Sequence, residues 1–307
     1  MTAFLLRRLV HALFVVWGVV TAVFFLVRLT GDPAAFLVDQ TATQAEIAHT
    51  RHLLGLDRPL HVQYLDFLRA APQGDFGVSI REKRPAMRMV LDHLWPATVE
   101  LAAAALLLST LPAIPLGVIS ATHRNGLPDH LSRIASLFLQ SMPSFWLGIM
   151  LILVFAVGLG GLLPAFGSGT FRHLLLPALT LAVAPLAQNV RLIRSGMLEV
   201  LQQDYVRTAR AKGLAERLVI YRHGLWNAAI PVLTVTGLSL GFMLSGAIII
   251  ETVFSWPGLG RLIVQAVPGR DFPVIQAGVF VFAVIFVGLN LLVDALYAVV
   301  DPRIRLA

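Results

Sequence analysis

Apolar residues fall into six long blocks, roughly 10–29, 97–120, 134–158, 174–194, 229–253 and 274–300. Each reaches the about 20 predominantly apolar residues that a helix needs to cross a bilayer. Backbone groups in hydrocarbon must be satisfied within their own segment, so the blocks predict helices and not open strands. The pattern therefore predicts an all-α, polytopic membrane protein with six transmembrane helices. The first block follows Arg7 and Arg8, but its apolar run is too long for a signal-peptide core and no small-residue cleavage site follows it. It is expected to stay in place as a span.

Composition narrows the class further. Of 307 residues, 57% are hydrophobic and 13% charged, about half the charged share of a soluble domain. Mean hydropathy is +0.78. Cysteine is absent, which excludes a disulfide framework, a thiolate metal site and a cysteine nucleophile. The net charge of +7 follows the loops between blocks, so no nucleic-acid partner is expected.

Loop charge predicts orientation. With the N-terminus inside, the inner segments hold Arg7, Arg8, Arg124, Arg133, the basic residues from Arg191 to Arg222, Arg303 and Arg305. Against them stand Asp129, Glu199, Asp204, Glu216 and Asp301. Basic residues in short loops stay on the cytoplasmic side, so both termini are expected there. Trp95 and Trp256 at outer ends and Trp226 at an inner end suit interfacial anchoring. Glu100 and Glu251 are expected near outer helix ends, within reach of water or a partner.

The chain divides into residues 1–29 with the first span, an outer subdomain at 30–96, and a core at 97–307 whose cytoplasmic loop covers about 195–228. In the outer subdomain, Thr43 and Glu46 have the spacing of a capping box opening a short helix through Leu54, which Gly55 ends. Asp57 to Leu68 reads as a second helix, and Pro72 to Gly77 as a turn. Glu46, His49 and His52 would share one helix face. That spacing permits a metal site, but a solvated amphipathic helix produces it too, and no metal site is assigned.

The cytoplasmic loop carries the one structured polar segment on the inner face. Asp204, Tyr205, Arg207, Thr208, Ala209, Arg210 and Lys212 form a stretch of helical composition, and Gly213 is placed as a C-cap. A second helical run, Ala215 to Ala229, leads to Pro231. Helix, glycine turn, helix is a shape for docking another protein; a solvated positive-inside loop accounts for the same charge.

Other motifs are weighed by context. Gly237-Leu-Ser-Leu-Gly241 matches the serine-hydrolase elbow, but that turn belongs between a strand and a helix. Here it lies inside the fifth block, where Gly237, Gly241 and Ser245 form a small-residue stripe suited to close helix packing. An intramembrane serine protease would also need a histidine base, and the last three blocks offer only His173 and His223 at their edges. Gln140, Ser141, Ser144, Thr234, Ser239, Asn290 and Asp294 are candidates to line a translocation path. Asp294, one turn beyond Asn290, is read in preference as a bundle-facing group paired with a partner helix. Pro112, Pro115, Pro143, Pro177 and Pro185 are expected to break or bend spans.

Neither lysine, Lys83 or Lys212, follows a glycine, so the chain has no P-loop. It also lacks the buried ionisable cluster of an ion-coupled carrier, the other transport reading. Active transport would need a separate nucleotide-hydrolysing subunit.

A set of ordered motifs gives the chain a recognisable pattern. They are Leu5-Leu-Arg-Arg-Leu9, Arg28-Leu-Thr-Gly-Asp-Pro-Ala34, Leu54-Gly-Leu-Asp-Arg-Pro-Leu60, Gly74-Asp-Phe-Gly-Val-Ser-Ile80 and Pro96-Ala-Thr-Val-Glu-Leu101. Ser141-Met-Pro-Ser-Phe-Trp-Leu-Gly148, Asp204 to Gly213, Glu251-Thr-Val-Phe-Ser-Trp-Pro-Gly-Leu-Gly260 and Asp301-Pro-Arg-Ile-Arg305 follow. The chain resembles the B-type permease subunit of binding-protein-dependent ABC importers, in the dipeptide, oligopeptide and nickel branch. The resemblance implies a type I importer permease fold and a transport subunit with no enzymatic site. It implies partners: a second, C-type permease subunit, two ATP-binding subunits and an extracytoplasmic binding protein. It implies no cofactor in this chain, ATP being bound by the partners, and a place in the cytoplasmic (inner) membrane of a bacterium or archaeon. The expected solute is a di- or oligopeptide, with nickel, glutathione or another small solute as the alternative. The family's loop motif, Glu-Ala-Ala, three residues, Gly, aligns on Arg207, Thr208, Ala209 and Gly213. The glutamate and first alanine are not present, so Asp204, Arg207, Arg210 or Lys212 would have to take over the contact with the ATPase.

Overall fold

The computed structural model describes residues 2–29, 31, 34, 43–53 and 55–300, and their side chains except at 2–6, 229–231, 233, 234, 238 and 294–300. The side chains of Thr234 and Asp294 and the segment from Asp301 to Arg305 thus lie outside the described residues.

Helices dominate the described residues. Five are long and apolar enough to cross a membrane: Arg7–Leu29, Ala86–Thr122, Phe171–Val200, Val235–Val253 and Phe272–Val293. The expected third span, 134–158, is not a straight rod. Leu127–Ser141 and Ser144–Gly158 meet at 102° and make a sixth crossing only as a bent pair. Pro143 causes the break. It has no N–H to donate, and its ring drives the preceding residue out of the helical region; Met142 is extended, with φ −79° and ψ 128°.

The other prolines behave less uniformly than expected. Leu111 and Pro112 form a turn between the helices Val99–Thr110 and Ala113–Thr122, whereas Pro115 sits in the first turn of the second. Pro177 and Pro185 lie inside the unbroken helix Phe171–Val200. Pro231 likewise ends nothing. The run that begins at Glu216 passes through a wider π-helical stretch, Val219–Leu225, into Trp226–Val253.

The described residues form two compact units. The first comprises the chain up to Thr98 together with Pro257–Gly288. Its short elements between Thr43 and Pro85 follow the sequence closely. Thr43 N–H donates to Glu46 Oε2 at 2.7 Å, and Glu46 N–H donates to Thr43 Oγ1 at 3.4 Å, so the capping box opens the helix Gln44–Leu53. The next helix is Leu60–Ala70, starting after Pro59 and not at Asp57, because proline is extended here and has no N–H to leave orphaned. Fully buried Phe24 of the first span packs on Tyr64 and Phe67, with ring centroids 5.2 and 5.1 Å apart. Buried Asp271 accepts hydrogen bonds from Ser79 Oγ and from the Ile80 N–H, which pins the 77–85 turn to the start of the last helix. Glu46 is used by its cap and His52 Nδ1 lies 2.6 Å from Asp57 Oδ2; no metal-holding group of three such residues occurs among the described residues.

The second unit comprises Val99–Trp256 with the last helix from Leu289. Phe171–Val200 is its axis and packs against Val99–Thr110, Ala113–Thr122 and Trp226–Val253. Gly117 permits this approach, because a Cβ there would lie 2.6 Å from Ile193 Cβ. Glu251 and Trp256 are buried, 0% and 2% exposed, and not at an accessible end as expected. Glu251 follows Ala247 and Ile250 on the core-facing side of its helix, both also fully buried. Trp95 and Trp226, at 69% and 77% exposed, keep the exposure an interfacial anchor needs.

Candidate functional site: the 195–228 loop and its supports

The loop begins where Phe171–Val200 runs out. Gln203 is extended and frees the chain to start a new helix, Asp204–Ala211. Asp204 in the first turn and Arg210 in the last match the helix dipole. Val206 and Ala209 stand three residues apart and therefore share one face. Both are buried, with Val219, against Val200, Leu201 and Leu214. The opposite side, with Tyr205, Arg207, Thr208, Arg210 and Lys212, is exposed.

Gly213 closes the helix as expected of a C-cap. Its φ is +75°, a region costly to any residue with a Cβ. Its N–H donates to Arg210 O at 2.9 Å and the Leu214 N–H to Ala209 O at 3.4 Å. Across this turn the Arg210 guanidinium grips Glu216: Nη2–Oε1 is 2.7 Å and Nε–Oε2 is 3.2 Å. The hydrogen bond from Arg210 holds the Glu216 carboxyl below the usual carboxylate range, and the same bond raises Arg210. Arg207 lies 3.6 Å from Asp204, an open pair one turn apart. The returning helical arm of the loop is packed as well. A Cβ on Gly224 would meet Met197 Cε at 3.1 Å.

Of the basic residues, then, Arg210 is committed to its own turn. Arg207 and Lys212 present their charge on the exposed side. This division was not legible in the sequence, where Glu216 reads only as one inner acid among several.

A second support was missed altogether. Asp129, with no exposed surface, accepts hydrogen bonds from Arg194 Nε and Nη2, Ser120 Oγ and the Asn125 N–H, at 2.5, 2.8, 2.8 and 2.9 Å. One carboxylate thus joins the ends of Ala113–Thr122, the 123–126 turn, the start of Leu127–Ser141 and the last part of Phe171–Val200. The available signal was Asp129 directly after Pro128 at a helix start. Charge counting had used it as a topology residue.

The path candidates are partly brought together. Gln140, Ser141 and Ser144 cluster at the 102° bend, the first two exposed and Ser144 half-buried. Ser141 Oγ donates to Leu137 O at 2.8 Å. Ser239 is 7% exposed and donates to Val235 O within its own helix. Asn290 is half-buried in the last helix. Of the small-residue stripe, Gly237 touches the last helix, where a Cβ would lie 2.6 Å from Val293 Cγ2. Gly241 is buried, but Ser245 is exposed, so the stripe leaves the intrachain contact at its third member. Gly246, facing Leu181 Cδ1 at 3.3 Å from its would-be Cβ, carries the packing on.

Residues 113–306 match the family described as binding-protein-dependent transport system inner membrane component. Residues 1–102 match that family's N-terminal membrane-component domain. The chain is 42% identical over 306 residues to the glutathione transport system permease protein GsiC of Salmonella typhimurium, covering 99% of both. It is 43% identical, with the same coverage, to the protein of that name from Pectobacterium atrosepticum. Its fold is similar to a chain of the inward-facing MetNI methionine ABC transporter, with TM-score 0.51, 18% identity and coverage of 68% of this chain and 96% of that one. A chain of an amino acid ABC transporter crystallised with histidines is similar to the same degree, with TM-score 0.51, 18% identity and 70% and 94% covered. The chain belongs to the binding-protein-dependent inner membrane transport components and is a multi-pass permease subunit of an ABC importer.

Proposed function

We propose that this subunit carries glutathione or a short peptide across a bacterial inner membrane, driven by ATP hydrolysed on partner subunits. The relatives named as glutathione permeases favour that solute over nickel. Both termini and the 195–228 loop face the cytoplasm, following the loop charge. A C-type permease completes the path, two ATP-binding subunits hold the nucleotide, and a soluble binding protein delivers the solute outside.

One observation carries the coupling role: the loop helix is anchored twice, by buried Val206 and Ala209 on one face and by Arg210–Glu216 across the glycine turn. An element tied in this way moves as a body with the end of Phe171–Val200, and packed side chains transmit displacement without absorbing it. Its exposed side, with Arg207 and Lys212, is left to meet the ATPase.

Reconstitution of the subunit with its partners in liposomes tests this reading. ATP-dependent uptake of labelled glutathione that requires the binding protein is the expected result. Uptake by this chain without ATPase subunits would mean a stand-alone carrier.

A further inference from the structure

Residues 77–86 form a hairpin with a buried root and an exposed tip. At the root, Ser79 N–H donates to Arg84 O at 2.8 Å and Ala86 N–H to Gly77 O at 3.0 Å, with Val78 and Pro85 bridged between them. Toward the tip, Lys83 N–H returns to Ser79 O at 3.1 Å. Asp271 accepts from Ser79 Oγ, from Ile80 N–H and, at 3.4 Å, from Arg81 N–H. Ser79 Oγ in turn accepts from Glu82 N–H at 3.0 Å. Ser79 and Asp271 are 1% and 4% exposed, whereas every residue from Arg81 to Pro85 is exposed.

The tip is charged. Arg84 is committed to Asp92 at 2.8 Å and lies 3.8 Å from Glu82. Arg81 and Lys83, and Arg88 on the following helix Ala86–His93, are exposed and form no ion pair among the described residues. Lys83 has φ +58°, a conformation that glycine takes freely and a side chain resists. A cation thus stands at the tip where the backbone favours glycine. These features suit a protein partner better than lipid headgroups, for which a cluster of flexible cations is enough. Here the backbone fixes the cations, and an acid, Glu82, stands between Arg81 and Lys83. Val78 adds exposed apolar surface. Arg81 and Glu82 also line a half-open recess with buried Met89, Leu262, Ala266 and Val274. An apolar centre with a charged rim is the anatomy of a protein interface.

We propose that the 77–86 hairpin docks an acidic face of a soluble protein, whose carboxylates meet Arg81 and Lys83. The choice of partner rests on the orientation and partners proposed above. With the N-terminus inside, the first span carries the hairpin outside, where the soluble partner is the binding protein.

The test measures binding of the binding protein to the full transport complex in nanodiscs of zwitterionic lipid, by surface plasmon resonance. Arg81→Glu with Lys83→Glu should leave basal ATP hydrolysis unchanged and weaken binding about tenfold or more at low salt, a gap that narrows at high salt. Lys83→Gly, which suits the backbone, should weaken binding less but in the same direction, and it stands in should the double reversal fail to assemble. Equal binding by variant and parent overturns the docking site. A gap that appears only when anionic lipid is added also overturns it, by assigning the cations to headgroups. A parent complex that does not bind the binding protein at all overturns the transport reading itself, and the docking site with it.

Discussion

Arg194 forks onto Asp129, so that a carboxylate with no exposed surface is held by both arms of one guanidinium. The pair ties together four chain segments, just before the loop begins. Removing one partner of a buried ion pair leaves an uncompensated charge and typically costs about 3–5 kcal/mol. Asp129→Ala should therefore lower the detergent melting temperature of the complex sharply. Arg194→Lys keeps the charge but loses the fork and should lose less. Equal melting of Asp129→Ala and the parent would show that the pair contributes nothing.

Gly213 tests the turn itself. No atom lies within 4 Å of a Cβ built there, so a substitution meets only the backbone cost of the left-handed region, about 1–2 kcal/mol. Gly213→Val should insert normally but lose ATP-driven uptake. Gly213→Asn, which tolerates that region, should retain most of it. Uptake by the valine variant at the parent's rate would remove the coupling role from this turn.

Glu216 gives the loop a pH dependence. Its carboxyl is held below the ordinary value of about 4.3 by Arg210. The contribution is therefore fully present above that value and lost as pH falls through the lowered one. Both groups are about half exposed, and such pairs contribute about 0.2–1 kcal/mol. The chain contains no cysteine, so Ala215→Cys can carry a single spin label. Glu216→Gln should increase the label's mobility at pH 7, and the difference from the parent should shrink and vanish as pH falls through the lowered value. A difference that persists in acid would mean the glutamine acts in some other way.

Charge reversal at Arg207 and Lys212 tests the docking side. Exposed charges are screened beyond about 10 Å at 0.1 M salt. The double reversal should reduce ATPase-subunit recovery in pull-downs more at low salt than at high salt. Unchanged recovery would reduce these residues to topology signals.

Gly237 tests the packing stripe. Val293 stands where its Cβ would go, so Gly237→Leu should overfill the contact and cost about 1–3 kcal/mol. Ser245→Leu, on an exposed position, should leave the isolated subunit's detergent stability unchanged. Equal melting of Gly237→Leu and the parent would place that glycine outside the contact.

Much of this protein is local in its sequence. Apolar runs of bilayer length can only be helices, so the class and the approximate spans followed from hydropathy alone. The Thr43–Glu46 cap and the Gly213 turn followed from side-chain chemistry within a few residues. What tertiary structure decided are the relations between distant residues. Pro143 shows that a break is due, but the 102° between its two arms depends on what each arm packs against. Glu251 and Trp256 have the composition of a helix end near water and are nevertheless buried, because burial is set by the neighbouring helices. Asp129 finds Arg194 across 65 residues, and no count of charges by membrane side distinguishes such a pair from two solvated ones. A single sequence states which groups must be satisfied; only the packed bundle states by whom.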